Sequence, residues 1–435
     1  MADMMLSATV DEMLENAVTT ASGMYTGRQI VTFKPGADAA GMQNLAADPT
    51  MRVASAADFV DQVVDFSALG DAATLVFPEL NVAVVASPVA THPAFVGMAS
   101  AAEPDNPILA VEPETFVFPC ADGWQEYLRG FAAAADRIAH DLVGEGAAAR
   151  VPAPLVEEAA VAAASWGLVA TKATSTHFSG RGIKVAVLDT GFEFRHPDFQ
   201  GRAFTQQSFI TGQTPQDGNG HGSHTTGTAC GPRAPVGVPR YGTAYEASIF
   251  VGKVLSNTGG GTSATVLAGM NWAVANRCEV ISMSLGADGV PPQTFYTQAG
   301  QNALNAGCLI VAASGNASRR PGVIAPTGAP ANSPTIMSVA ALDINLQVAF
   351  FSSGGKVDIA GPGVDVFSSW FLPKRYETES GTSMATPHVA GAAALWAQSN
   401  AGLRGRQLWN ALVQHARHLP FPASDVGAGL VQCPP

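Results

Sequence analysis

Apolar positions along this chain fall into three patterns. From Trp166 to the end, short runs that are apolar at nearly every position stop at turn residues: "GIKVAVLDTG", "ASIFVGKVL", "CEVISMSLG", "CLIVAASGN" and "TIMSVAAL". Helix-like stretches such as "ATVLAGMNWAVANR" and "TFYTQAGQNALNAG" lie between them. Strands buried on both faces and alternating with helices predict an α/β fold, a doubly wound parallel sheet, over residues 166–435. Residues 26–119 read differently. "RQIVTFKPG", "LNVAVVASP" and "PILAVEPETFVF" predict strands, and "DAAGMQNLAA" and "HPAFVGMASAA" predict helices. That order makes a small α+β unit behind a leader of residues 1–25. In residues 120–165, Trp124, Tyr127, Leu128, Phe131, Ile138 and Leu142 recur at three- and four-residue steps and predict one helix face. "VGEGAAARVPAP" then reads as a linker. No repeat of fixed period is present.

Composition narrows the picture. The 435 residues exceed one ordinary domain, and 47% hydrophobic against 13% charged residues suit a large buried core. A net charge of -12 repels nucleic acid and anionic membrane, so neither is expected as a partner. Cys120, Cys230, Cys278, Cys308 and Cys433 show no paired spacing, and most of them read as reduced, buried apolar residues, with a bridge left to geometry. The start, "MADMMLSATVDEMLENAV", has no basic region and carries Asp3, Asp11 and Glu12. The default expectation is a cytoplasmic protein, with a non-standard export route left open.

Ligands of open α/β sheets bind beyond the carboxyl ends of the strands. Asp189 stands there after "KVAVL", His221 lies in the glycine-rich "DGNGHGSHTTGTACG", and Ser383 opens "GTSMATPHVAG". Singly these read as a turn residue, a packed loop histidine and a helix cap. Together they offer a hydroxyl, a base to take its proton and a carboxylate to hold the base. The order Asp, His, Ser differs from the chymotrypsin-like and α/β-hydrolase orders, and no G-x-S-x-G elbow occurs.

Three blocks, "VAVLDTGFEFRHPDF", "HGSHTTGTACG" and "GTSMATPHVAG", resemble those of subtilisin-like serine proteases, peptidase family S8, over roughly Trp166 to the end. The resemblance implies a serine endopeptidase that works through an acyl-enzyme. Asp189 would orient His221, His221 would act as base and then acid, and Ser383 would attack. "VAASGNAS" resembles the oxyanion block, which implies that Asn316 and the Ser383 N–H donate to the oxyanion. Ser383 is expected in the first turn of a buried helix, with Pro387 tolerated early in that helix. "SMSLGA" resembles the edge that pairs with extended substrate, so Ser284, Leu285 and Gly286 would border the pocket for the residue before the cut. A neutral or apolar preference is expected there, with Asp288 nearby in sequence. The chemistry requires no cofactor. Asp198 matches a structural-calcium position of some relatives, yet "GPRAPVGVPRYGTAYEA" replaces their Asn-rich partner loop.

Residues 26–119 more loosely resemble the family's inhibitory propeptide. That implies a self-processing zymogen whose own N-terminal domain is chaperone and inhibitor, cut somewhere between Cys120 and Trp166. Protein or peptide substrates are the expected partners. A binding protein without turnover and an esterase compete with this reading. All four catalytic positions count against the first, and the missing elbow counts against the second.

Overall fold

The computed structural model describes residues 5–20, 22–37, 51–86, 106–120 and 163–435. The helices expected at 38–47, 92–102 and around Trp124–Leu142, and the linker behind the last, lie outside these residues.

Seven parallel strands form the larger sheet: β6 (Lys184–Asp189), β7 (Phe204–Ser208), β8 (Ser248–Lys253), β10 (Val280–Met283), β12 (Leu309–Ala313), β13 (Met337–Leu342) and β14 (Ile359–Pro362), in the order β14-β13-β12-β10-β6-β8-β7. Val185 and Val187 of β6 enter one core, Ala186 and Leu188 the other. Alternate side chains are therefore buried on opposite faces, which is why the strands read as unbroken apolar runs. The chain crosses from one side of β6 to the other between β8 and β10. Such a switch point opens a crevice at the carboxyl ends. The helices α2 (His221–Cys230), α3 (Ser263–Ala275), α4 (Thr294–Asn305) and α5 (Thr382–Ser399) flank the sheet.

The N-terminal unit has α1 (Val10–Thr20), β1 (Tyr25–Phe33), β2 (Val53–Ser55), β3 (Thr74–Phe77), β4 (Val82–Val85) and β5 (Ile108–Pro119). β1 pairs antiparallel with β4 and β5, and β3 with β4. The short β2 and β3 were not legible as strands. The leader helix α1 buries Val10, Met13, Leu14 and Ala17 with Phe116, Phe118 and Ile210. Ile30, Leu75, Val82 and Val84 share a core with α3 and α4 of the larger unit.

Two carboxylates bind this unit to helix starts, where backbone N–H groups lack partners. Glu112 accepts from Thr294 N at 2.9 Å and Phe295 N at 3.2 Å, opening α4. Glu114 accepts from Ala264 N at 2.9 Å, opening α3. It also forms a fully buried pair with Arg28, at 2.5 Å from Nε and 2.8 Å from Nη2.

All five cysteines are buried and unpaired, as expected. Burial, the first among the causes, pushes Cys230, Cys278 and Cys433 up to about 12.

Candidate active site

Asp189 is the last residue of β6 and His221 the first of α2. Gly220 ahead of His221 has φ 108, and a Cβ there would lie 2.3 Å from the Trp370 ring. Only glycine takes that turn so close to an indole. His221 Nδ1 is 2.8 Å from Asp189 Oδ1. A carboxylate only accepts, so Nδ1 carries the proton and Nε2 of the neutral ring has the free lone pair. Thr190 N donates to Asp189 Oδ1 at 2.7 Å and Thr225 Oγ1 to Oδ2 at 3.1 Å, fixing the carboxylate.

Asp217 was not singled out from the sequence. It accepts from Thr190 Oγ1, Asn219 N, Gly220 N, Ser223 N and Ser223 Oγ at 2.7 to 3.0 Å, and so holds the first turn of α2. Buried Lys253 at the end of β8 donates to Thr190 O and to Asn257 Oδ1. Burial brings its ammonium down to about 8, against the raising pull of Asp217 and Asp189. For His221 burial is the largest influence and disfavours the imidazolium. The charge and hydrogen bond of Asp189, with the charges of Asp217 and Glu379, together outweigh it and leave the pKa above the ordinary histidine value. Nε2 is buried with no hydrogen-bond partner among the described residues.

Ser383 is the second residue of α5, so it is not the helix cap; Gly381 takes that place. Its hydroxyl donates to Ser284 O at 2.9 Å, and Ser284 Oγ donates to Ser383 O at 2.7 Å. Pro387 lies beyond the first turn, later than expected. It has no N–H, so the carbonyl four residues earlier, that of Ser383, lacks its helical partner. The Ser284 hydroxyl supplies one. The structure packs α2 against α5 and joins Asp189 to His221, but no hydrogen bond links the Ser383 hydroxyl to the imidazole.

Asn316 follows β12. Its Oδ1 accepts from Thr382 N at 3.0 Å and Thr382 Oγ1 at 2.8 Å. Those bonds fix which end of the amide points outward. Nδ2 donates to the carbonyl of Cys120. Thr382 was also missed: only the fold brings it to Asn316.

Cys120 sits where β5 enters the crevice. Phe116 and Val117 pair antiparallel with β9 (Gly261–Thr262), and Phe118 and Pro119 with β11 (Leu285–Gly286). Cys120 N donates to Ser284 O at 3.3 Å. Ser284, Leu285 and Gly286 therefore form an edge occupied by an extended strand, and that strand is the chain's own.

Asp198 has hydrogen-bond partners outside this group. Tyr241 Oη donates to it at 2.6 Å and Tyr376 Oη at 3.0 Å. Burial first, and then Asp198, raises both phenols, Tyr376 to about 12, so both remain protonated donors. Calcium takes about six to eight oxygen acceptors. A carboxylate engaged by two phenols does not fit that set.

The Subtilase family model (peptidase S8) matches residues 180–430. Subtilisin Savinase of Lederbergia lenta is 40% identical over 271 residues, 61% of this chain and 96% of that protein. The thermostable alkaline protease of Halalkalibacterium halodurans is 40% identical over 271 residues, 61% of this chain and 71% of its own length. A cold adapted subtilisin-like serine proteinase of known crystal structure superposes with a TM-score of 0.53 at 32% identity, over 62% of this chain and 97% of the other. These relatives overturn the cytoplasmic expectation: they are secreted extracellular subtilisins. With its parallel sheet, the order of its three blocks, a family model matching residues 180–430 and a subtilisin matched over 96% of its length, the chain belongs to the subtilase family and is a serine endopeptidase.

Proposed function

We propose that Asp189, His221 and Ser383 are the catalytic triad of this endopeptidase and that the chain cuts itself after Cys120. The observation that carries the reading is the Cys120 carbonyl, which accepts from the Asn316 amide at the end of a strand held between β9 and β11. A scissile carbonyl needs a donor aimed at its oxygen and a nucleophile beside its carbon.

The Ser383 hydroxyl leaves Ser284 O, gives its proton to His221 Nε2 and attacks the carbonyl carbon of residue 120. Negative charge gathers on the oxygen facing Asn316, with the Ser383 N–H as second donor. His221 then passes the proton to the departing amine of residue 121, leaving an acyl-enzyme. Water, deprotonated by the same ring, releases the new carboxyl end. Asp189 stabilises the imidazolium in both halves. No metal or cofactor takes part, and Asp198 serves as a tyrosine-bound structural acid. The N-terminal unit, held by Glu112 and Glu114, acts as an inhibitor because its strand fills the substrate edge. Protein and peptide chains of extended conformation are the substrates in trans.

Two measurements test this. Asn316→Ala is expected to cost about 100- to 1,000-fold in kcat on a peptide substrate with KM little changed, the pattern for a donor used in the transition state. An unchanged kcat removes Asn316 from the mechanism. The second is a pH profile. His221 must be neutral to accept a proton, and its pKa lies above the ordinary value of 6.5. Activity is therefore expected to fall as pH drops through a midpoint above 6.5, while protein is still folded by circular dichroism. A limb well below 6.5 counts against His221 as the base.

A further inference from the structure

We infer that Asp288 makes the pocket beneath residue 120 selective for a positively charged side chain on the residue before the cut. The inference rests on the reading that Cys120 marks that position. Its side chain is buried, and three segments linked to one another by hydrogen bonds make up the neighbourhood. Residues 285–287 form one wall, with Cys120 Sγ only 3.3 Å from where a Cβ on Gly286 would stand. Ala287 and Ala329 exchange both backbone hydrogen bonds, at 2.7 and 3.1 Å, which seats residues 328–329 opposite. Gly328 N donates to Ser314 O at 3.0 Å, which brings in the turn that leads to Asn316.

Asp288 folds back into this enclosure. Its Oδ1 lies 2.7 Å from where a Cβ on Gly315 would be and 3.2 Å from that of Gly328. Gly315, at φ 109, and Gly328 have no side chains, and that space takes the carboxylate. No hydrogen bond or ion pair holds Asp288 among the described residues. Burial raises its pKa, and the Cys120 thiol is pushed well up by burial first and by the Asp288 charge second, which agrees with a carboxylate placed in the walls of this pocket. A carboxylate half-withdrawn from water without a donor is stabilised by an arriving ammonium or guanidinium. A neutral chain of equal length leaves it unmet, and an acidic one is repelled. The neutral or apolar preference expected from "SMSLGA" gives way to this reading. Cys120 is no objection, because a strand already docked needs no selection by its last side chain.

The test compares peptides differing only in the residue before the cut (lysine, norleucine or glutamate) on wild type and Asp288→Asn, both allowed to mature. Active enzyme is counted by a serine-reactive phosphonate. Wild type is expected to show a kcat/KM for lysine at least tenfold above norleucine, with glutamate lowest. In Asp288→Asn the lysine-to-norleucine ratio is expected to fall about tenfold, with the norleucine rate retained. Ratios near one in wild type, or unchanged in the variant, while both proteins take up the phosphonate, overturn the role of Asp288 and leave the protease reading standing. If neither protein is labelled, the protease reading fails and this inference falls with it. Asp288→Ala separates charge from bulk: a gain only for large apolar residues, with charge preference intact, also overturns it.

Discussion

Ser383→Ala is expected to remain a chain of full length, while wild type shortens to a product whose first residue is Ala121. Loss of the nucleophile in a serine protease costs about a million-fold in kcat, which turns self-cleavage on any laboratory timescale into none. The substitution is mild for the fold. The Ser383 hydroxyl bonds to Ser284 O, so its removal forfeits one neutral hydrogen bond, worth about 1 kcal/mol. The Ser284 hydroxyl keeps its hold on the Ser383 carbonyl, which the substitution does not touch. Mass spectrometry and amino-terminal sequencing read the result, and a serine-reactive phosphonate should label wild type alone. A mutant that shortens at the wild-type rate, at the same bond, would remove Ser383 from the mechanism. Wild type cut elsewhere would remove Cys120 from its place before the cut.

Glu114→Ala carries the second large effect, on the grip of the N-terminal unit. Burial disfavours this carboxylate, but the Arg28 charge and hydrogen bonds from Arg28, Thr26 and Thr262 outweigh it and hold its pKa below the usual range. Alanine would leave the Arg28 guanidinium buried without its partner and the Ala264 N–H unmet. Removing one member of a buried pair typically costs about 3–5 kcal/mol. In a Ser383→Ala background, which keeps the covalent link, added trypsin is expected to digest the N-terminal unit of Glu114→Ala far faster than that of its parent. The larger unit should persist in both. Replacing both residues with apolar ones, Arg28→Met with Glu114→Leu, should restore much of the resistance, because no orphaned charge remains. Equal digestion of Glu114→Ala and its parent would show that the pair does not hold the unit. The low pKa sets the sign with pH: the stabilisation is complete above the ordinary carboxylate value and is lost as pH falls through the depressed one.

The parallel sheet and the three candidate site positions were legible because each signal is local. An apolar run of five or six residues announces a doubly covered strand, and Asp189, His221 and Ser383 each stand in a glycine-rich block at an element boundary. Asp217 lies four residues before His221 and still went unnoticed. Its role is visible only when the turn closes and five donors converge on one carboxylate. Thr382 meets Asn316 across 66 residues and Glu114 meets Ala264 across 150, distances that no pattern window spans. β2 and β3 were lost for another reason. Three or four residues are too few to establish an alternation, and their strand character comes from pairing with neighbours. Asp198 is a further case. Its motif matched a cation position while the replaced partner loop already spoke against one, and the two phenols that bond the carboxylate come from distant stretches that no motif joins.

Pro387 has a mechanical consequence. An ordinary residue there would have closed the helix's own ladder on the Ser383 carbonyl and left the Ser383 backbone indifferent to the cleft floor. With the ladder interrupted, the reciprocal clasp of Ser284 and Ser383 makes the shelf beside β5 and the start of α5 parts of one stiff frame.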